Sequence, residues 1–103
     1  MSEVEQKLRD ELSIAPWEAI RVHAERDALI CVSDGMDLVE VATAIAEDDV
    51  DNINSWMKAE KLMKPTAEKM KEWDEEPGKF FQFIIVQPYV VVAEYLAESQ
   101  KLN

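Results

Sequence analysis

Nine acidic side chains fall between Glu25 and Asp51: Glu25, Asp27, Asp34, Asp37, Glu40, Glu47, Asp48, Asp49 and Asp51, opposed there by Arg26 alone. Carboxylate oxygens are ligands for hard cations. Glu47, Asp48, Asp49 and Asp51, with Asp34, Asp37 and Glu40 upstream, would hold Mg²⁺ or Ca²⁺ if their loops converged. Their spacing matches no recognised cation loop. An EF-hand needs a D-x-D-x-D-G pattern and a glutamate at the twelfth position, which this stretch lacks. Helix capping accounts for Asp37 and for Asp48 or Asp49, each standing before an apolar-periodic run, and a solvated surface accounts for the rest. No metal is expected.

His23 is the only histidine and Cys31 the only cysteine. A His–Cys pair does nucleophilic chemistry when the fold brings imidazole to thiol. A histidine on a helix surface and a small core cysteine in the apolar run ALICV is the simpler reading. Glycine occurs only at Gly35 and Gly78, so neither a phosphate loop nor a dinucleotide fingerprint can be written anywhere in the chain. These residues give no catalytic group and no cofactor, and the expectation is a protein that is not an enzyme. A lone cysteine excludes an intrachain disulfide, and no basic-plus-apolar leader precedes the first charged helix, which points to the cytoplasm.

The chain has 103 residues, 22 acidic against 11 basic, and a net charge of -11. The 25–51 stretch repels phosphate backbones and anionic membranes, so direct nucleic-acid binding through it is disfavoured. Six lysines lie between Lys58 and Lys79, interleaved with Glu60, Glu68, Glu72, Asp74, Glu75 and Glu76. Lys58, Lys61 and Lys64 at three-residue spacing offer one face to an anion or an acidic partner, although mixed signs more often mean solvation. The longest apolar run is broken by Gln82, Gln87 and Pro88 and ends at Glu94, too short and polar to span a membrane. An apolar content of 48%, with three Trp, three Phe and two Tyr, supports a real core and one domain over 1–103.

The elements that must position these groups follow from spacing. Ser2 with Glu5 fits a capping box, and Val4, Leu8 and Leu12 give a short N-terminal helix within 1–15. Pro16 opens a second helix, with Trp17, Ile20 and Ala24 on one face, ending near Asp27. Ala28 to Val32 reads as a buried strand closed by Ser33, Asp34 and Gly35. Asp37 caps a helix carrying Leu38, Val41, Ala42 and Ile45, with a hairpin at Asp34-Gly35 as the competing reading. Asp48 or Asp49 caps the next helix, whose Val50, Ile53 and Met57 share a face beside Trp56, and which ends near Lys61. Thr66 caps a helix through Ala67, Met70 and Trp73 that stops before Pro77-Gly78. Phe80 to Val86 is the strongest strand signal, followed after Gln87-Pro88 by a second strand at Tyr89 to Val92. Ala93 to Lys101 drifts into a helix or a frayed tail at 96–103. Pro88 starting a helix is the alternative.

Leaving aside the N-terminal helix, this order resembles a winged helix-turn-helix with one extra helix. The stretch AIAEDDVDNINSWMKAEKL carries the packing positions of two helices around a tight turn. Its turn reads Glu47-Asp48-Asp49, and Asp51 sits among the residues that would enter a DNA groove, with no basic residue between Val50 and Met57. Over roughly 17–95 the chain also resembles an uncharacterised bacterial family, domain of unknown function 2288. That resemblance rests on LVEVATAIAEDD from Leu38, KPT from Lys64, Trp73, and IVQPYV from Ile85. It implies a compact bacterial cytoplasmic domain and assigns no catalytic or binding residue.

The expected architecture is therefore α+β and winged-helix-like, with four or five helices, a short antiparallel sheet of two or three strands, and a core over 16–95. The run from Phe80 to Val92 puts apolar side chains on both faces of a strand, more than so small a sheet would cover. Either the extra helix closes it or another molecule does. The leading reading is a non-enzymatic protein-interaction domain that self-associates as a dimer through Phe80, Phe81, Phe83, Ile85, Tyr89 and Val91. The runner-up is a transcription-associated protein touching DNA through its wing and Lys58 to Lys79, and the third a carboxylate-dependent metal site or enzyme.

Overall fold

A computed structural model of the chain describes residues 3–33 and 35–95. Helix α1 (Glu3–Asp10) leads into strand β1 (Ser13–Pro16), which the sequence reading had left without a strand. Pro16 ends β1 and caps helix α2 (Trp17–Glu25); it has no N–H to leave unpaired, and its φ of -72° suits the turn into a helix. Strand β2 (Leu29–Val32) follows, buried as expected. Asp37 caps α3 (Leu38–Ala46) by accepting from the N–H groups of Val39 and Glu40, so the hairpin alternative fails. Asp49 caps α4 (Val50–Lys58) through the Asn52 N–H, and Thr66 caps α5 (Ala67–Asp74) through the Lys69 N–H. Between them lies the two-residue strand β3 (Leu62–Met63). Strands β4 (Phe80–Val86) and β5 (Tyr89–Tyr95) form a hairpin whose turn is Gln87-Pro88, joined by a cis peptide bond, so Pro88 starts no helix. The strand continues through Ala93 to Tyr95, where a helix or tail was expected. The Ser2 cap, the Asp34 turn and the tail at 96–103 lie outside the described residues.

The expected sheet of two or three antiparallel strands is in fact five-stranded and mixed, in the order β1-β4-β5-β2-β3, with β2 and β5 parallel and the other neighbours antiparallel. The hairpin therefore occupies the centre of the sheet, with strands on both sides of it. Short strands caused the error: β1 and β3 carry four and two residues, too few to show a period of two.

Each face of the sheet carries a buried cluster. Ile84 and Val91, paired across β4 and β5, point into a cluster with Leu8 of α1 and Val39, Val41 and Ala42 of α3. Val90 and Val92, on either side of Val91, point the other way and with Phe81 of β4 join Leu29, Trp17 and Ile20 of α2, and Trp73 of α5. A central strand buried on both sides has no polar face, which is why the β4 and β5 sequences fail to alternate. Among the described residues no helix is long and apolar enough to cross a membrane.

Candidate functional site

Helix α4 buries none of its nine residues. Val50, Ile53 and Met57 share one side of it, a pattern that ordinarily faces a core. Here Ile53 and Trp56 are half-buried against α3, while Val50 and Met57 stand 51% and 55% exposed. The cause lies in the neighbouring strand. β3 pairs with β2 only at Cys31↔Met63 and Val32↔Leu62, then leaves the sheet at Lys64-Pro65, so nothing covers the lower end of this face. Ile30 of β2 and Tyr89 at the start of β5 form the floor of an apolar groove of about 340 Å³, walled by α4, Ile45 and Met63. Asp48 and Lys64 mark its rim, and Lys64 is held by Asp27 at 2.8 Å.

Such a groove binds by burial. Each large apolar side chain removed from water contributes roughly 1.5–3 kcal/mol, and apart from Asp48, Lys64 and the Tyr89 hydroxyl the lining is apolar.

The six residues expected to form a self-associating face are dispersed. Phe81 and Val91 belong to the core, at 1% and 0% exposure, and Phe83 is half-buried against the aromatic cluster. Phe80, Ile85 and Tyr89 are exposed, and only Tyr89 reaches the groove. In the hairpin, β4 is paired with β1 over Phe80–Phe83 and β5 with β2 over Val90–Val92, so those stretches offer no free edge. Phe81 and Val91 find their cover within the chain because the sheet has five strands and helices on both faces, where two or three strands were expected.

His23 and Cys31 are not brought together. His23 lines a shallow cleft with Arg26, Gln87 and Pro88, its Nδ1 buried without a hydrogen-bond partner. Cys31 lies in a different cleft among Lys69, Trp73 and Glu94. Burial pushes its thiol up to about 12, the Glu94 carboxylate adds to this and Lys69 opposes it, so the thiol keeps its proton at neutral pH. Asp37 and Asp49 serve as caps, and among the described residues no group of three or more His, Cys, Asp or Glu side chains is placed to hold a metal ion. Lys58, Lys61 and Lys64 do not share a helical face: α4 stops at Lys58, and Lys64 follows β3. The groove itself was missed. Its signal was Val50, Ile53 and Met57, the shared face that the sequence suggested for packing two helices around a tight turn.

The geometry has relatives. PA1075 from Pseudomonas aeruginosa, known from its solution NMR structure, is 30% identical to this chain, with a TM-score of 0.78 over 95% of this chain and 90% of that one. No curated protein matches. The family model described as protein of unknown function (DUF2288) matches residues 3–94. This chain, with its α4 groove, is therefore a member of the DUF2288 family.

Proposed function

We propose that this protein is a non-enzymatic, cytoplasmic interaction domain whose working surface is the groove under α4. One observation carries the reading: an amphipathic helix with no buried residue leaves Val50 and Met57 open beside Met63 and Tyr89, so that several exposed apolar side chains gather around one groove. The raised Cys31 thiol and the separation of His23 from it support a role without covalent chemistry.

A winged-helix likeness enters only through α3 and α4, two helices joined by Glu47, Asp48 and Asp49. The charge of that turn, and Asp51 in the first turn of α4, favour a protein surface over a phosphate backbone.

Benzoylphenylalanine placed at Met57 tests the reading in cells of the source bacterium. A covalent adduct with a polypeptide is expected on irradiation at position 57 and not at Val22, an equally exposed apolar position on α2. No adduct at position 57, or equal labelling at both, would remove the groove as the working surface.

A further inference from the structure

We infer that a second copy of this chain covers Val50 and Met57 at the edge of the groove, with α4 lying antiparallel against α4 across a two-fold axis; this rests on the docking reading above. The exposed face of α4 is self-complementary in that orientation and in no other. Val50 and Met57 lie two turns apart on the same side, as do Asp51 and Lys58 beside them, with Asn54 midway between. A two-fold axis at the level of Asn54 brings Val50 of one copy to within one residue's rise, about 1.5 Å, of the level of Met57 of the other, and Asp51 likewise of Lys58, and every contact occurs twice. Parallel helices would instead oppose Asp51 to Asp51 and Lys58 to Lys58. The surroundings agree: Asp48 and Asp49 stand at one end of α4 and Lys58 and Lys61 at the other, and antiparallel packing also opposes the two helix dipoles.

Among the described residues neither Asp51 nor Lys58 has an ion-pair partner, whereas Lys64, Arg21 and Lys79 are engaged. Their charges are free to be matched from outside. The net charge of -11 opposes association of two copies, but at physiological ionic strength charges beyond about 8 Å are largely screened, so the local match decides. A contact built on one nine-residue helix, about 13 Å long, is small, and micromolar affinity is what that size supports.

Sedimentation equilibrium of the full chain from about 1 to 200 µM decides it, with dissociation constants read directly. The wild type is expected to pass from monomer to dimer in that range. Asp51→Lys and Lys58→Asp, both at exposed positions and checked by far-UV dichroism, should each weaken association at least about tenfold. Mixed in equal amounts they should dimerise again, because each then supplies the charge the other lacks. A wild type that stays monomeric throughout, single variants that dimerise like the wild type, or a mixture that fails to recover would each overturn the pairing. A monomeric wild type together with a Met57 adduct to a different protein would remove the second copy and keep the groove. Absence of any adduct would remove the groove itself.

Discussion

The indole Nε1 of Trp17 donates a 2.7 Å hydrogen bond to Asp74 Oδ1 across fifty-seven positions of sequence. It ties the first residue of α2 to the last of α5, the two helices that cover one face of the sheet. Trp17, Trp73 and Phe81 meet beside it, with ring centroids 4.9 Å apart for Trp17–Trp73 and for Trp73–Phe81, both edge-on, and 5.7 Å for Trp17–Phe81. The bond gives the buried indole N–H its partner, which lets a tryptophan sit at the centre of an apolar cluster without a desolvation cost.

Removing that partner should be felt. Asp74→Ala leaves the Trp17 N–H unpaired and also takes the Arg21 contact at 3.5 Å, so urea denaturation should show a loss of roughly 1–3 kcal/mol. A loss under about 0.5 kcal/mol would mean that water replaces the carboxylate there.

Phe80 and Phe81 are neighbours with opposite fates. Phe81→Ala opens a cavity among the aromatic rings and should cost about 3–5 kcal/mol. Phe80→Ala, at 40% exposure, should cost less than about 1.5 kcal/mol. Similar losses in the two variants would contradict the register of β4.

Lys79 is buried, its ammonium paired with Glu94 and 5.7 Å from the Phe81 ring, with Glu76 at 3.9 Å. Deleting Glu94 strands a buried cation, whereas replacing Lys79 by methionine keeps its apolar stem and removes the charge. Glu94→Ala should therefore cost about 2 kcal/mol, reduced from the fully buried case because the carboxylate is 40% exposed, and Lys79→Met less than about 1 kcal/mol. The reverse order in chemical denaturation would show that the ammonium is hydrated.

Cys31 makes stability fall at high pH. Its thiol is raised from 9.0 to about 12, so between those values the unfolded chain loses a proton that the folded chain keeps. Stability contributed by the neutral thiol is present below pH 9 and is lost as pH rises above it, at no more than about 1.4 kcal/mol per pH unit. Comparing wild type with Cys31→Ala between about pH 8 and 10.5 isolates this thiol from the other groups that titrate there. Equal slopes would rule it out.

Glu60 takes a left-handed φ of 60° just past α4, with the Lys61 N–H bonded to Trp56 O at 2.8 Å. An L side chain in that conformation costs roughly 1 kcal/mol that glycine avoids. Glu60→Gly should leave stability unchanged or raise it by up to about 1 kcal/mol, against the usual loss when glycine enters a chain. A clear loss in melting experiments would show that the Glu60 side chain makes a stabilising contact.

The sequence alone determined the helices and their starts, because the signals are local: Asp37, Asp49 and Thr66 each stand one residue before an apolar-periodic run and cap it with their own oxygen. It also pointed to the two long strands through their β-branched and aromatic runs, although it ended the second at Val92 and left a helix from Pro88 open. Helix ends were less legible. α2, α3 and α4 all stop on a left-handed residue that is not glycine, Asp27, Asp48 and Glu60, so the usual stop signal is missing.

Only the tertiary structure decided the sheet and the site. Ser13 to Pro16 becomes a strand because Phe80 to Phe83 offers it a ladder, and Leu62-Met63 because Cys31 and Val32 do. Pairing over such distances leaves no trace in a four- or two-residue window. The same holds for burial: Val41 and Met57 each lie on the apolar stripe of their helix, yet α3 lies over Ile84 and Val91 and buries Val41, while α4 packs beside the two-residue β3 and leaves Met57 55% exposed. A periodic stripe states that a helix has an apolar face. What that face meets is set by where strands elsewhere in the chain begin and end, and in α4 it meets the open groove.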